Sequence, residues 1–365
     1  LLISHTCQSP TEGQPKAEWL SRLGVDLTVL VPDRWKEYDR WRTPVIVDNP
    51  RARYHIEHVW WPWTKAQWYL HWYPKLHTLL RQFRPDVIDL WEEPWGLVSA
   101  HACLLRRLLL PTARIVSETE QNVDKHLPFP FESFRRYTLR QADHAVGRNQ
   151  EAVDIIRRKG FRGPAEVVPN AVDSDLFSPG PRDEIRHALG WSGFVAGYVG
   201  RWVEEKGLQD ALDALPSCPD DVSLAFIGGG PMESALRRPR VHLVPGRPQP
   251  ELPALLRALD ALILPSRTTA RWKEQFGRVI IEAQACGVPV IGSNSGAIPE
   301  VLEASGLVVP ERSPGDLAAA ICRLRDDPGL RRRLAEGGRQ RVLEKFTWQS
   351  VAQRMLAIYE RTMAL

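Results

Sequence analysis

The sequence predicts an α/β protein built from two doubly wound domains. Short runs of apolar and β-branched residues alternate with longer segments of helical periodicity along the whole chain. Most of these runs are apolar throughout, which indicates parallel strands that are buried on both faces. The length of 365 residues exceeds what one hydrophobic core usually supports, so two domains of ordinary size are expected.

The predicted strands form two series. The first series comprises residues 1–4, 26–31, 54–59, 86–91, 114–118, 144–147 and 166–168. The second comprises residues 194–199, 223–227, 241–244, 261–264, 288–291 and 307–309. Between the series, Asn, Asp, Pro and Gly cluster in residues 168–184, as is typical of a linker. We therefore expect an N-terminal domain at 1–172, a C-terminal domain at 173–345, and a final helix at 346–365 that packs back on the first domain.

Composition limits the compartment and the partners. The formal charge of +4 is too small to indicate nucleic-acid binding, although it is compatible with anionic ligands or a membrane surface. Five single cysteines, without any C-x-x-C pair, indicate free thiols in a reducing compartment. Because no run approaches the roughly 18 to 20 apolar residues of a membrane span, and the N-terminus lacks the charged region of a signal peptide, we expect a cytoplasmic protein.

The segment "GRWVEEKG", residues 200–207, follows a predicted strand and leads into a helix. It places Arg201 and Lys206 at a strand-to-helix junction. Two cations at such a junction suit a diphosphate, because the helix N-terminus adds partial positive charge and free amide donors. Taken alone the pattern is weak, since an exposed Arg and Lys on a surface turn would look the same.

The segment "WKEQFGRVIIEAQACGVPV" predicts a helix over residues 277–286, stopped by Gly287 and Pro289. Glu274 and Glu282 lie eight residues apart around Gly277, which suggests the acid and base of a glycoside hydrolase. On one ideal helix, however, eight residues rise about 12 Å, whereas glycosidase carboxylates stand roughly 5 to 9.5 Å apart. The simpler interpretation is that the two glutamates bind different parts of one ligand.

These segments, together with "VVPNAVDSDLFSPG" and "VIGSNSGAIPEVL", resemble the retaining, nucleotide-sugar-dependent glycosyltransferases of family 4. The resemblance is nearly continuous over the second half of the chain and only architectural over the first. It implies the GT-B fold, in which two Rossmann-like domains face each other across a cleft, with the acceptor on the first domain and the nucleotide-sugar donor on the second. It also implies a polysaccharide-biosynthesis type of activity with UDP or GDP as the leaving nucleotide.

The resemblance assigns roles residue by residue. Arg201 and Lys206 would hold the donor diphosphate and neutralise the leaving group, Glu274 would bind the donor sugar, and Glu282 the ribose; Glu274, Arg201 and Lys206 are the expected catalytic residues. The leaving phosphate itself would assist the acceptor hydroxyl, so that positioning and electrostatics supply most of the catalysis. Neither a cofactor nor a metal is expected. The remaining expected donor-binding residues are Gly13, Gly200, Arg247, Pro248, Phe276, Gly277 and Arg278.

The first half departs from the family pattern. Its first loop, "HTCQSPTEGQPK", has the single glycine Gly13 where relatives often carry a pair, and "SETEQN" stands where many relatives place a histidine. Acidic residues follow two predicted strands here and would form a carboxylate-lined acceptor pocket, or else serve as helix caps and surface charge. These residues are Glu92, Glu93, Glu118 and Glu120.

Two further segments have competing interpretations. Residues 59–84 hold five tryptophans among several cations; they form either a platform for an acceptor sugar or a peripheral membrane contact on the inner face, or a helix that covers the sheet and breaks at Pro74. The "DSD" of residues 173–175 matches a metal-binding D-x-D, but it lies in the interdomain turn. For the whole chain, we expect a transferase that moves a sugar to a glycan, a lipid-linked sugar or a small molecule. Two alternatives remain: a nucleotide-sugar epimerase or hydrolase of related fold, and an inactive nucleotide-sugar-binding protein.

Overall fold

Parallel strands form the centre of each half of the chain. A computed structural model describes residues 1–11, 13–37, 40–47, 52–62 and 67–365. The chain forms two units: unit 1 comprises Leu1–Pro169 and Trp348–Leu365, and unit 2 comprises Asn170–Thr347. Each unit contains one parallel sheet flanked by helices, so the prediction of two Rossmann-like α/β domains is confirmed.

The strands of unit 1 are β1 (Leu2–Ile3), β2 (Leu27–Pro32), β3 (Trp35–Glu37), β4 (Arg40–Arg42), β5 (Ala52–Glu57), β6 (Val87–Leu90), β7 (Arg114–Thr119), β8 (His144–Gly147) and β9 (Ala165–Val167). Seven of them pair in parallel in the order β5-β2-β1-β6-β7-β8-β9, and β3 and β4 form a separate antiparallel hairpin. The order along the sheet reverses between β1 and β6, which is the doubly wound arrangement.

The strands of unit 2 are β10 (Phe194–Arg201), β11 (Val222–Gly229), β12 (Val241–Pro245), β13 (Ala261–Leu264), β14 (Val290–Ser293) and β15 (Leu307–Val309). They pair in parallel in the order β12-β11-β10-β13-β14-β15, so this sheet reverses between β10 and β13. Leu262, Ile263 and Leu264 of β13 are at most 2% exposed. Burying each such side chain contributes about 1.5 to 3 kcal/mol, which explains why the strands are continuously apolar.

The helices connect the strands and cover the sheets. They are α1 (Gln14–Arg22), α2 (Gln67–Leu70), α3 (Leu76–Phe83), α4 (Leu97–Leu109), α5 (Phe131–Gln141), α6 (Gln150–Arg158), α7 (Asp183–Leu189), α8 (Leu208–Ala214), α9 (Glu233–Leu236), α10 (Leu252–Arg257), α11 (Arg278–Ala285), α12 (Ile298–Leu302), α13 (Pro314–Asp326), α14 (Pro328–Lys345) and α15 (Trp348–Met363). No helix in the described parts of the chain combines the length and apolar character that a membrane crossing requires.

The last helix, α15, belongs to unit 1. It packs against α1, and the hydroxyl of Tyr359 donates a hydrogen bond to the buried carboxylate of Asp89 on β6. Met355 and Ile358 on the same helix are fully buried. The apolar face at helical spacing in residues 348–363 is therefore covered by unit 1.

The tryptophan-rich segment differs from the predicted covering helix. Residues 63–66 lie outside the described residues, and the described part before Pro74 contains only the short helix α2. Trp60 and Trp72 instead form an antiparallel bridge, with ring centres 6.2 Å apart. Helix α2 already ends at Leu70, and α3 begins at Leu76, two residues after Pro74. Of the described residues in this segment, only Gln67–Leu70 and Leu76–Phe83 are helical, so the interpretation as a covering helix applies to α3, whose Leu76, Leu79 and Leu80 are buried.

Candidate active site

The sheet of unit 2 reverses direction between β10 and β13, and open α/β sheets bind ligands outside the carboxyl ends of their strands at this reversal. The chain leaves β10 through residues 200–207 and leaves β13 through residues 265–277. These two loops carry Arg201, Lys206 and Glu274. Topology therefore places the three predicted catalytic residues around one candidate site.

Lys206 and Glu274 are brought into direct contact. The Nζ atom of Lys206 donates to Oε2 of Glu274 at 2.7 Å, and the hydroxyl of Ser266 donates to the same oxygen at 2.8 Å. The Lys206 side chain is 16% exposed and that of Glu274 is 9% exposed. A hydrogen-bonded ion pair with this little exposure holds a cation and a carboxylate in fixed positions at the end of the sheet.

The two loops are also joined through their backbone and through neighbouring elements. The amide of Arg267 donates to the carbonyl of Glu205 at 2.8 Å, and its guanidinium donates from Nε to the Asp210 carboxylate on α8, also at 2.8 Å. Farther along, the carbonyl of Glu274 accepts from the amide of Ala297 at 3.0 Å. The segment that carries Glu274 is therefore fixed on both sides of the glutamate.

Helix α11 begins where the loop after β13 ends. Gly277 has φ of +73°, and a Cβ there would lie 2.9 Å from side-chain atoms of Leu264 and Ile280. Glycine thus permits the turn that sets the first amides of α11 beyond β13, where they can bind an anion. The neighbouring Phe276 is buried against Phe346, with ring centres 5.8 Å apart. The predicted helix over residues 277–286 is confirmed.

Glu282 lies inside α11 and Glu274 lies before it. The Glu282 side chain is buried, and burial raises its pKa, although the nearby Arg278 guanidinium opposes the shift. Arg278 itself is exposed. A buried carboxylate without a strong ion pair favours a partner that donates hydrogen bonds, as a sugar hydroxyl does.

Three of the other predicted donor residues, Arg201, Arg247 and Pro248, are exposed. Arg201 ends β10 with an exposed side chain, directly after Gly200, and its carbonyl accepts from the Tyr198 hydroxyl at 2.9 Å. Arg247 and Pro248 follow β12, the edge strand of the sheet, and are exposed. Arg247 faces Glu251 at 3.8 Å. The structure therefore places Arg247 and Pro248 two strands away from β10, outside the group formed by Lys206 and Glu274.

Unit 1 has a second group of polar residues where its own sheet reverses. His5 follows β1 and Glu92 follows β6. The His5 amide donates to Glu92 at 2.7 Å, and Nδ1 of the ring lies 2.9 Å from the same carboxylate. Although burial opposes it, the bonds from His5 lower the pKa of Glu92, which therefore stays ionised. Because an ionised carboxylate only accepts hydrogen bonds, Nδ1 of His5 is the donor in this contact.

A cavity of about 220 Å³ lies beside this histidine within unit 1. The imidazole of His5 stacks on Trp35 with ring centres 4.5 Å apart, and Trp68 meets it edge-on at 5.1 Å. The other lining residues include the polar Thr6, Gln8 and Arg42. The cavity is smaller than the roughly 300 to 1,000 Å³ of sites for drug-sized ligands, so its size suits a single small ring.

The remaining predicted acceptor carboxylates are engaged with the protein. Glu93 accepts from the Thr119 hydroxyl at 2.6 Å and the Glu120 amide at 2.8 Å, and burial raises its pKa to about 7. Glu118 is 1% exposed and pairs with both Lys16 and Arg148. Despite its burial, these two cations hold the pKa of Glu118 at about 2. Glu118 is therefore part of a buried ion cluster, whereas the Glu120 side chain remains 41% exposed.

Two other predicted features have local partners. Gly13 is buried at the start of α1, where a Cβ would lie 2.6 Å from the amide nitrogen of Cys7, and its own amide donates to the Ser9 carbonyl at 3.5 Å. The Asp173 carboxylate accepts from the amides of Asp175 and Leu176, both at 3.0 Å, so it closes a turn. Among the described residues, no group of three or more His, Cys, Asp or Glu side chains is arranged to hold a metal ion.

Sequence reasoning missed His5 as a candidate. The signal was present, because His5 immediately follows the first strand and residues at the carboxyl ends of parallel strands line ligand sites. Its partner Glu92 lies 87 residues away, and only the parallel pairing of β1 with β6 brings the two together.

Comparison with known proteins defines the class. Residues 16–176 match the sequence family described as Glycosyltransferase Family 4, and residues 181–341 match Glycosyl transferases group 1. A D-inositol 3-phosphate glycosyltransferase of Corynebacterium jeikeium is 30% identical over 304 residues, which are 74% of this chain and 68% of the relative. The chain belongs to glycosyltransferase family 4.

Further relatives differ in how much of their length is matched. The D-inositol 3-phosphate glycosyltransferase of Salinispora tropica is 33% identical over 257 residues, 61% of this chain. The matched part spans about half of that relative, 52% of its length.

Solved structures share the fold over the full chain. Sucrose-phosphate synthase from Thermosynechococcus elongatus superposes with a TM-score of 0.77 at 22% identity and covers 100% of this chain and 98% of its own. HepE from Anabaena, solved in complex with UDP, gives a TM-score of 0.74 at 18% identity and covers 99% of each chain. At this level of identity the similarity establishes the GT-B fold.

Proposed function

We propose that the protein transfers a sugar from a nucleoside-diphosphate sugar to an acceptor hydroxyl, with retention at the anomeric carbon and without a metal ion. The observation that carries the proposal is the contact between Lys206 and Glu274 where the unit 2 sheet reverses. A cation for phosphate and a carboxylate for sugar hydroxyls stand side by side there. That is the pair of groups that a sugar bound through a diphosphate requires.

On the donor side, Arg201 and Lys206 bind the diphosphate, and Glu274 accepts hydrogen bonds from the sugar hydroxyls. The first amides of α11, next to Phe276 and Gly277, add donors for phosphate oxygens. The buried Glu282 takes the ribose hydroxyls. Gly200, Arg278, Arg247 and Pro248 complete the proposed set, the last two beside the nucleobase.

The chemistry follows from charge placement. As the glycosidic bond to the diphosphate breaks, negative charge grows on the leaving oxygen, and Lys206 and Arg201 stabilise it. The acceptor oxygen forms its bond to the anomeric carbon on the face from which the diphosphate departs, and its proton passes to the departing phosphate oxygen. Because the bond that forms and the bond that breaks lie on the same face of the sugar, the anomeric configuration is retained. Lys206 already lies at the carboxyl end of β10 before the donor arrives, so this cation needs little movement during the reaction.

For the nucleotide, UDP or GDP is proposed. HepE, which has the same fold, was solved with UDP, and this supports a uridine or other nucleoside diphosphate as ligand. The acceptor is a glycan, a lipid-linked sugar or a small molecule, bound by unit 1 near Glu92 and Glu93 and the exposed Glu120. Glu118 is left out of the proposed acceptor contacts, because it is 1% exposed and paired with Lys16 and Arg148. A cytoplasmic location, with peripheral contact to the inner face of a membrane, belongs to the same proposal.

The test is a transfer assay on the full chain with a panel of nucleoside-diphosphate sugars and hydroxyl acceptors. We expect Glu274→Gln and Lys206→Ala to lower turnover at saturating donor by orders of magnitude, whereas Glu204→Gln, which changes a neighbouring exposed carboxylate, leaves it unchanged. Near-normal turnover in either site variant would refute the assignment.

Product analysis separates the alternatives. A glycoside that forms only with acceptor, and with the anomeric configuration of the donor, supports the proposal. Free sugar or an isomerised sugar nucleotide, formed without acceptor, would instead identify an epimerase or hydrolase. Donor binding without turnover of any substrate would identify an inactive binding protein.

A further inference from the structure

Lys206 has a second neighbour besides Glu274. Its ammonium lies 4.6 Å from the centre of the Trp272 ring, within the range of about 6 Å over which an indole face attracts a cation. Because the Lys206 side chain is only 16% exposed, water screens this attraction less than at an open surface. The ammonium is therefore held by a carboxylate and by an aromatic face.

These two neighbours respond differently to a sugar ligand. Oε2 of Glu274 already accepts from both Lys206 and Ser266, and sugar hydroxyls would compete for the same carboxylate. The face of an indole ring offers no oxygen or nitrogen acceptor to a hydroxyl. Trp272 can therefore keep its contact with Lys206 while Glu274 turns to the sugar.

Trp272 is itself fixed by a tight turn. Its amide donates to the hydroxyl of Thr269 at 3.0 Å, and its carbonyl accepts from the Thr269 amide at 2.8 Å. The preceding Thr268 is bound in turn, because its amide donates to the Glu311 carboxylate at 2.6 Å. The indole thus projects from a backbone segment that is closed on itself and bound to the end of the sheet.

We propose that Trp272 is a positioning residue for Lys206: its indole face keeps the ammonium at the diphosphate position when the donor sugar engages Glu274. This inference rests on the proposed donor site and adds Trp272 to it, as a residue that affects the affinity for the diphosphate by positioning Lys206. Because Trp272 already restricts the flexible four-carbon side chain of Lys206 before the donor binds, Lys206 loses less conformational freedom on binding than an unrestrained lysine would.

The first test measures by calorimetry the affinity of UDP-glucose and GDP-mannose for the full chain and its variants, with UDP and GDP as ligands that lack the sugar. A cation–π contact of this kind corresponds to about a threefold to thirtyfold change in Kd. We expect Trp272→Leu to weaken binding of the sugar nucleotide by up to that factor, and to change the affinity for UDP or GDP less, because these leave Glu274 on Lys206. Trp272→Phe, which keeps an aromatic face, should recover part of the loss. Equal affinities for wild type and Trp272→Leu would overturn the proposal.

A double-variant cycle separates positioning from a general structural role. In the Lys206→Ala background, Trp272→Leu has no ammonium to hold, so the second change should leave Kd unaltered. Trp191→Leu is the matched control, since Trp191 is a buried tryptophan of the same unit; it should lower thermal stability without changing Kd. Equal weakening by Trp272→Leu with and without Lys206 would assign Trp272 a merely structural role.

A ligand-free measurement keeps this proposal distinct from the proposed function. Reductive ¹³C-dimethylation preserves the lysine charge, and the indole ring current shifts the N-methyl resonance of Lys206, which Lys206→Arg identifies. We expect Trp272→Leu to abolish this shift, and an unchanged resonance would overturn the contact. If neither UDP nor GDP binds the wild type while the shift is present, the nucleotide assignment fails and the positioning of Lys206 by Trp272 stands.

Discussion

Gly207 is the residue at which backbone conformation and the candidate site are most tightly linked. It joins the turn that carries Lys206 to helix α8 and has φ of +67°. A Cβ at this position would lie 1.9 Å from the carbonyl oxygen of Pro265, just beyond β13. Gly190 has nearly the same conformation, with φ of +66°, yet nothing lies within 4 Å of its Cβ. A comparison of Gly207→Ala with Gly190→Ala therefore separates the steric effect of the close contact with Pro265 from the effect of a positive φ.

The expected magnitudes follow from these two geometries. A left-handed conformation costs an alanine about 1 to 2 kcal/mol relative to glycine, and both variants share this cost. At Gly207 the Cβ and the carbonyl oxygen must also separate by more than an ångström, from 1.9 Å to at least 3.0 Å, which strains packed backbone by about 1 to 3 kcal/mol. We expect Gly207→Ala to lower the free energy of unfolding by about 2 to 5 kcal/mol, and Gly190→Ala by about 1 to 2 kcal/mol.

Urea denaturation measures the decrease in the free energy of unfolding, and hydrogen exchange of peptides that cover β10 and β13 shows whether the decrease lies in unit 2. Because Gly207 is next to Lys206, its variant should also bind UDP or GDP more weakly, whereas Gly190→Ala should not. Equal destabilisation by the two variants would refute the inference that the close approach to Pro265, rather than the positive φ, makes Gly207 necessary.

Three further predictions concern the metal, the buried ion cluster and the acceptor. Transfer should continue in EDTA, and activity that is lost in EDTA and restored by a divalent ion would contradict the metal-free mechanism. Arg148→Met should destabilise unit 1 by about 3 to 5 kcal/mol, because it leaves the buried Glu118 without one of its two cations, while the control Arg158→Met changes an exposed ion pair worth at most about 1 kcal/mol. Because the pKa of Glu118 is lowered to about 2, the stability that its ionised form contributes is complete above the unfolded pKa of about 4.3 and is lost as pH falls toward 2. A difference in unfolding free energy between wild type and Arg148→Met that is undiminished at pH 2 would argue against this ion pair. Glu92→Gln should raise the KM for acceptor and leave the Kd for donor unchanged, and the reverse pattern would remove Glu92 and His5 from the acceptor site.

Periodicity and apolar runs were sufficient to predict the parallel strands. The strand over residues 261–264 and the helix over 277–286 were predicted to within a residue or two, because a buried strand and a helix started by glycine have strong local signals. The β3–β4 hairpin was not predicted, since Trp35–Glu37 and Arg40–Arg42 alternate large and charged residues without an apolar run.

The contacts within the site could not be predicted from local patterns. Lys206 and Glu274 are 68 residues apart, and they meet because β10 and β13 are neighbours in the sheet. In unit 1, the sequence predicted Glu118 as the last residue of a strand, but it did not predict its burial between Lys16 and Arg148. A carboxylate that lines a pocket and one that closes an ion cluster have the same sequence signal, and tertiary packing decides between them.

The most direct test of the donor site is the affinity of the full-length chain for UDP and GDP, compared between wild type and Lys206→Ala by isothermal titration calorimetry. A hydrogen bond from an ammonium to phosphate contributes about 1.5 to 3 kcal/mol, which corresponds to a change in Kd of about tenfold or more. We expect at least one of the two nucleotides to bind the wild type and to bind Lys206→Ala at least about tenfold more weakly. Unchanged affinity in the variant, or no binding of either nucleotide to the wild type, would contradict a nucleotide-sugar site at the end of β10.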